Sequence, residues 1–163
     1  GTTLDRHNKD WGMIYSPDPP YEIVTNSTLS FEMLQRLKRF ARYWDLVANS
    51  GNFVRTTPRI WVHSTPFAAF LAFSDWLYGT VAKTSAVGLE RLTESLFTYL
   101  TTTDGQPADI IGPLLLEDYR LGGRRKRIPP LLRPYYEAGG TRQVGTNRIT
   151  RQDRHLIGRK QAS

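Results

Sequence analysis

The stretch LKRFARYWDLVANSG, from Leu37 to Gly51, decides the fold prediction. We expect it to be the main part of a helix that begins after Ser30, a residue type that caps helix N-termini, and ends before Gly51. At 3.6 residues per turn, its apolar side chains fall on one arc of about 140°. That arc carries Met33, Leu34, Leu37, Phe40, Ala41, Trp44, Val47 and Ala48. An arc of this width predicts an amphipathic helix that packs on a core.

The opposite side of this helix has a mixed composition. Its polar residues are Gln35, Lys38, Arg39, Arg42, Asp45 and Asn49. Phe31 and Leu46 fall among them, and Tyr43 flanks the apolar arc. One interpretation is a solvated face with isolated hydrophobic residues, which are common on protein surfaces. The other is a docking face for a second domain, because interfaces favour aromatic residues and Arg; it would consist of Phe31, Arg39, Arg42, Tyr43 and Leu46.

The rest of the chain is also predominantly helical in pattern. Thr65-Pro66 is a cap followed by Pro at the first helical position, and it opens the helix PFAAFLAFSDWLYGTVAK. A third helix is predicted over about Val87–Thr102 and a fourth over Pro107–Leu121, kinked or split at Gly112-Pro113. Short strands are predicted at Tyr21–Thr25 and Arg59–His63. We expect two apolar stripes to form the core, Leu34/Leu37/Phe40/Trp44 and Phe67/Phe70/Leu71/Leu77.

These elements predict a mostly α fold, a compact bundle of about four helices. Residues 1–29 form an irregular, Pro-rich N-terminal segment with a short strand, because the prolines between Pro17 and Pro20 exclude a helix there. Residues 30–121 form the helical domain. Residues 122–163 form a basic, Gly/Arg-rich and poorly structured C-terminal tail, since they contain few apolar residues.

The charge of the chain is concentrated at its C-terminal end. Gly1–Arg120 contains 11 Lys/Arg and 13 Asp/Glu, whereas Leu121–Ser163 contains 11 and 2. The adjacent cations Arg124, Arg125, Lys126 and Arg127 are candidates for anion or nucleic-acid contacts, because such a run can neutralise several phosphates. Arg133 joins them, since it lies among aromatic residues of the kind that stack on bases. The alternative is a solvated charge run in a connection.

The sequence offers no catalytic, cofactor-binding or metal-binding residue set. The chain has no Cys, so it can supply neither a thiolate ligand nor a self-contained iron–sulfur cluster. His7, His63 and His155 are far apart, and the adjacent Glu117 and Asp118 are expected to diverge toward solvent. No apolar run approaches the ~20 residues that cross a bilayer. We therefore expect no membrane contact and, with no Cys, a cytoplasmic location.

Three segments carry a resemblance to a known family: WGMIYSPDPPYEIVTNSTLSF, LQRLKRFARYWDLVANSGNF and PFAAFLAFSDWLY. They resemble the C-terminal domain of cobalamin-binding radical S-adenosylmethionine proteins, a domain of unknown function. The resemblance is specific from Trp11 to Tyr78 and weaker beyond. In those proteins a cobalamin-binding domain comes first, a radical barrel with a CxxxCxxC motif second, and this domain follows. The resemblance implies that residues 1–29 connect to such a barrel.

The resemblance also implies a function. The chain would be a non-catalytic accessory domain whose partner is the radical barrel of the same polypeptide, where it shapes substrate access. The parent protein would be a radical S-adenosylmethionine enzyme that binds a [4Fe-4S] cluster, S-adenosylmethionine and cobalamin, with none of these bound by this chain. The alternative is an RNA-binding module that acts through the basic C-terminal segment.

Overall fold

The computed structural model describes residues 8, 10–19, 22–121 and 128–138. Its helices are α1 (Phe31–Val47), α2 (Pro66–Val81), α3 (Leu89–Thr98), α4 (Ala108–Leu121) and α5 (Arg133–Ala138). Short 3₁₀ helices span Thr57–Trp61 and Pro130–Leu132, and two strands, β1 (Ile14–Tyr15) and β2 (Ile23–Thr25), form a sheet. The prediction of a mostly α chain is confirmed. The chain divides into two units, Gly1–Ala41 and Arg42–Ser163.

The first unit contains the sheet and the beginning of α1. β1 and β2 are antiparallel, with Ile14 opposite Thr25 and Tyr15 opposite Ile23. The Asn26 Oδ1 atom accepts hydrogen bonds from the backbone N–H groups of Thr28 and Leu29, which shapes the turn into α1. The Ser30 Oγ atom then accepts the N–H of Met33 at 3.2 Å, so the predicted N-terminal cap is confirmed.

The second unit has an aromatic core. The Trp44 ring meets the Phe70 ring edge-on, with 4.8 Å between centroids, and stacks on Trp61 at 6.0 Å. Phe73 lies edge-on to both Phe70 and Tyr99, at 5.4 and 5.0 Å. Edge-to-face pairs at these distances add to the burial of the rings, because the edge of one ring meets the negative face of the other.

Helix α2 begins as predicted but buries a narrower face. The Thr65 Oγ1 atom accepts the N–H of Ala68, and Pro66 is the first helical residue. The buried residues of α2 are Ala69, Phe70, Phe73, Ser74 and Leu77. Phe67 is exposed and Leu71 half-buried, so including Phe67 in the core was wrong. Because nearly every residue of this helix is apolar, its sequence does not identify the face that packs.

Two further element predictions need correction. The predicted strand at Arg59–His63 is wrong, because Thr57–Trp61 is a 3₁₀ helix with Pro58 in its first turn, where a missing N–H is tolerated. The predicted third helix is α-helical only over Leu89–Thr98, and Tyr99–Thr103 form a π-helical turn at its end. The fourth is not split: α4 continues through Gly112 and Pro113 as one helix.

Helical packing continues beyond Leu121. Pro130–Leu132 and α5 both pack on α4, and Leu132 is fully buried. Residues 128–138, which the sequence analysis placed in the C-terminal segment, are therefore part of the second unit. The rest of that segment, residues 122–127 and 139–163, lies outside the described residues, as does the prediction that its tail is poorly structured.

Candidate functional site

The first unit exposes large apolar side chains. They are Trp11, Ile14, Tyr15, Phe31 and Met33, which we call the N-terminal apolar set. Ile14 and Tyr15 are consecutive in β1, where the pairing with β2 is irregular, and both are exposed. Among the described residues of this unit, from Asn8 to Ala41, none is buried. The unit therefore has many apolar residues but has not formed a core of its own.

A ribbon this small needs support. β1 has two residues and β2 three, and an isolated two-stranded hairpin is at best marginally stable in water. Polar contacts hold the unit locally, for example the ion pair between Lys38 of α1 and Glu22, which precedes β2. Exposed ion pairs contribute little, because solvent screens them. The apolar side chains of this unit are thus the groups with the most free energy to gain from a partner.

The predicted docking face of α1 is only partly exposed. Phe31 is half-exposed, at 52%, and belongs to the N-terminal apolar set, while Arg39 and Leu46 are half-buried. Tyr43 is fully buried, so its assignment to a docking surface was wrong. Its hydroxyl donates to the carbonyl of Lys83 at 2.8 Å, which satisfies its polar atom inside the second unit.

Arg42 is exposed but engaged nearby. Its Nε donates to the carbonyl of Thr84 at 3.4 Å, and its Nη1 lies 3.9 Å from Asp45. Arg42 and Tyr43 therefore both hold the loop after α2, which has left-handed Ala residues at positions 82 and 86 (φ 52° and 54°). These contacts support a structural role for this end of α1.

The second unit contains a buried carboxylate that the sequence analysis had placed in solvent. Asp118 of α4 is only 1% exposed. Its Oδ1 accepts the N–H of Arg55 at 2.9 Å, and its Oδ2 accepts the N–H and the hydroxyl of Thr56 at 2.8 and 2.7 Å. Asp118 thus fastens the connection before the first 3₁₀ helix to α4. The available signal was its spacing, because Asp118 follows the buried Ile111 and Leu115 by seven and three residues.

Burial raises the pKa of Asp118 from its ordinary 3.8 to about 6, and the hydrogen bonds from Arg55 and Thr56 and the charge of Arg55 oppose this shift. The neighbouring Glu117 is exposed and pairs with the Arg55 guanidinium at 2.9 Å. The two adjacent carboxylates therefore differ in environment. Because its hydrogen bonds to Arg55 and Thr56 join two segments of this unit, we assign Asp118 a structural role.

The other predicted sites are only partly described. Arg133 is exposed on α5, and Arg124, Arg125, Lys126 and Arg127 lie outside the described residues. In the part of the chain that the structure describes, no three His, Asp or Glu residues come together as metal ligands. None of the described helices is both long enough and apolar enough to cross a membrane.

Comparison with known proteins gives one result. A family model described as "Protein of unknown function (DUF4080)" matches residues 9–156, which is most of the chain. No match was found among the curated proteins or among the solved structures. The matched range covers most of each unit and continues past α5 into residues outside the described part. The chain therefore belongs to this DUF4080 family of proteins of unknown function.

Proposed function

We propose that this chain is a non-catalytic accessory domain of a cobalamin-binding radical S-adenosylmethionine protein, docked on the radical barrel of the same polypeptide. The segments from Trp11 to Tyr78 that resemble the C-terminal domain of such proteins support the proposal. The observation that carries it is the exposure of the N-terminal apolar set. None of the described residues of the first unit is buried. A unit of this kind needs an apolar partner surface.

The chemistry of the first unit suits a protein partner. Trp, Tyr, Phe and Met are the residue types that interface cores concentrate. The described charges nearly cancel: the acidic residues are Asp10, Asp18, Glu22 and Glu32, and the basic residues are Arg36, Lys38 and Arg39. A nearly neutral aromatic surface offers little attraction to a polyanion. It fits an apolar protein surface at the edge of a barrel, where the domain would also shape substrate access.

The cofactors implied by this proposal belong to other parts of the parent protein. A [4Fe-4S] cluster needs thiolate ligands, and this chain has no Cys. The donor set therefore does not fit the cluster, and no described group of residues suits a metal. S-adenosylmethionine and cobalamin would likewise be held by the preceding domains, and the parent, not this chain, would be the enzyme.

The proposal is tested with a matched pair of substitutions in this domain, whose association with the rest of the parent is then measured. Phe31 and Phe67 are exposed to nearly the same extent, 52% and 56%, but only Phe31 is in the first unit. Phe31→Ser should weaken the association of this domain with the rest of the parent roughly tenfold or more, since a buried aromatic anchor is lost. Phe67→Ser should leave it unchanged. Association is measured by titrating the separately produced domain against the remainder of the parent.

Two results would count against this function. Equal effects of the two substitutions would show that the N-terminal apolar set does not form the interface. A stable iron–sulfur cluster reconstituted on this chain alone would show that the chain itself carries cofactor chemistry. Loss of association with Phe31→Ser alone would support the proposal.

A nucleic-acid-binding role through the C-terminal segment is the second candidate. The observation that favours it is on α5, where Arg133 and Tyr136 are exposed and the Arg120 guanidinium lies 5.0 Å from the centroid of the Tyr136 ring. Arg and aromatic side chains together suit single-stranded nucleic acid. Binding with about four phosphate contacts would give a slope of log affinity against log salt near −3 to −4. Failure of single-stranded RNA to bind at low salt would exclude this candidate, and salt-independent binding would exclude phosphate contacts as its basis.

A further inference from the structure

We draw no further inference here: the strongest candidate, the side-chain cluster in which the buried Gln106 joins Arg59 of the first 3₁₀ helix to Asp104 at the end of the π-helical turn, is accounted for by the link that its hydrogen bonds make between these two segments, and nothing in the described part of the chain shows what it would bind.

Discussion

Replacement of Asp118 by Ala should destabilise the second unit, and the destabilisation should be larger in acid than at neutral pH. The substitution removes the acceptor of three hydrogen bonds, from the Arg55 N–H, the Thr56 N–H and the Thr56 hydroxyl. Each buried donor left without a partner costs about 2 kcal/mol, so the loss is about 6 kcal/mol. The substitution also removes a buried charge, which offsets part of this loss.

The offset follows from the pKa of Asp118, raised from 3.8 to about 6 by burial. A shift of this size means that the ionised form is about 3 kcal/mol less favourable in the fold than the neutral acid. Above pH 6 the net destabilisation by Asp118→Ala should therefore be about 3 kcal/mol. Since the folded pKa exceeds the unfolded one, the folded protein binds the proton more tightly. The stability that the fold gains from protonated Asp118 is fully present below pH 3.8 and is lost as the pH rises through about 6. Asp118→Ala should therefore be most destabilising in acid.

Urea unfolding followed by tryptophan fluorescence, at intervals from pH 4 to pH 8, measures both quantities. The free energy of unfolding should be compared only where the dependence on urea has the same slope in both proteins. Glu117→Ala is the control, because Glu117 is adjacent in sequence, exposed, and engaged in one ion pair with Arg55. Its effect should stay below about 1 kcal/mol. A destabilisation by Asp118→Ala that shrinks in acid would refute the reasoning, because it would show that the hydrogen bonds outweigh burial and lower the pKa.

Three further predictions concern single contacts. Ala82→Gly should raise the melting temperature, because Ala82 has a left-handed φ of 52°, which costs about 1 kcal/mol in a residue with a Cβ. The control Ala72→Gly, within the regular part of α2, should lower the melting temperature. Tyr43→Phe should lower the free energy of unfolding by about 1 kcal/mol, because the hydrogen bond from its hydroxyl to the Lys83 carbonyl is lost. A loss above about 3 kcal/mol would mean that the ring packing also depends on the hydroxyl. Ser30→Ala should reduce helical circular dichroism and cost about 1 kcal/mol, and no change would show that the Met33 N–H finds another acceptor.

The features that the sequence predicted correctly are those set by local chemistry. The caps at Ser30 and Thr65 and the start of α2 at Pro66 depend on residues within one turn of each other. The predicted strand at Tyr21–Thr25 also overlaps β2. In each case a short pattern determines the backbone, whatever the rest of the chain does.

The failures involve partners that are distant in sequence. Asp118 is buried because Arg55 and Thr56, more than 60 residues earlier, provide donors for it. Tyr43 is buried because the loop after α2 provides a carbonyl for its hydroxyl. Gly112 was interpreted as a weak point in a helix, whereas its small size accommodates Tyr135. In all three cases, the role of the residue depends on a contact with a distant residue, which the local pattern of apolar and polar residues cannot reveal.

The two units differ in how their apolar residues are used, and this difference bears on function. In the second unit the large apolar residues form an aromatic core, and even a carboxylate is buried with its hydrogen bonds satisfied. In the first unit the described residues include Trp, Phe, Tyr, Ile and Met, yet none is buried. Composition alone cannot explain this contrast, because both units have the residues that a core requires. The N-terminal apolar set would gain free energy by burial against an apolar partner surface, and the proposed docking on a barrel rests on that possibility.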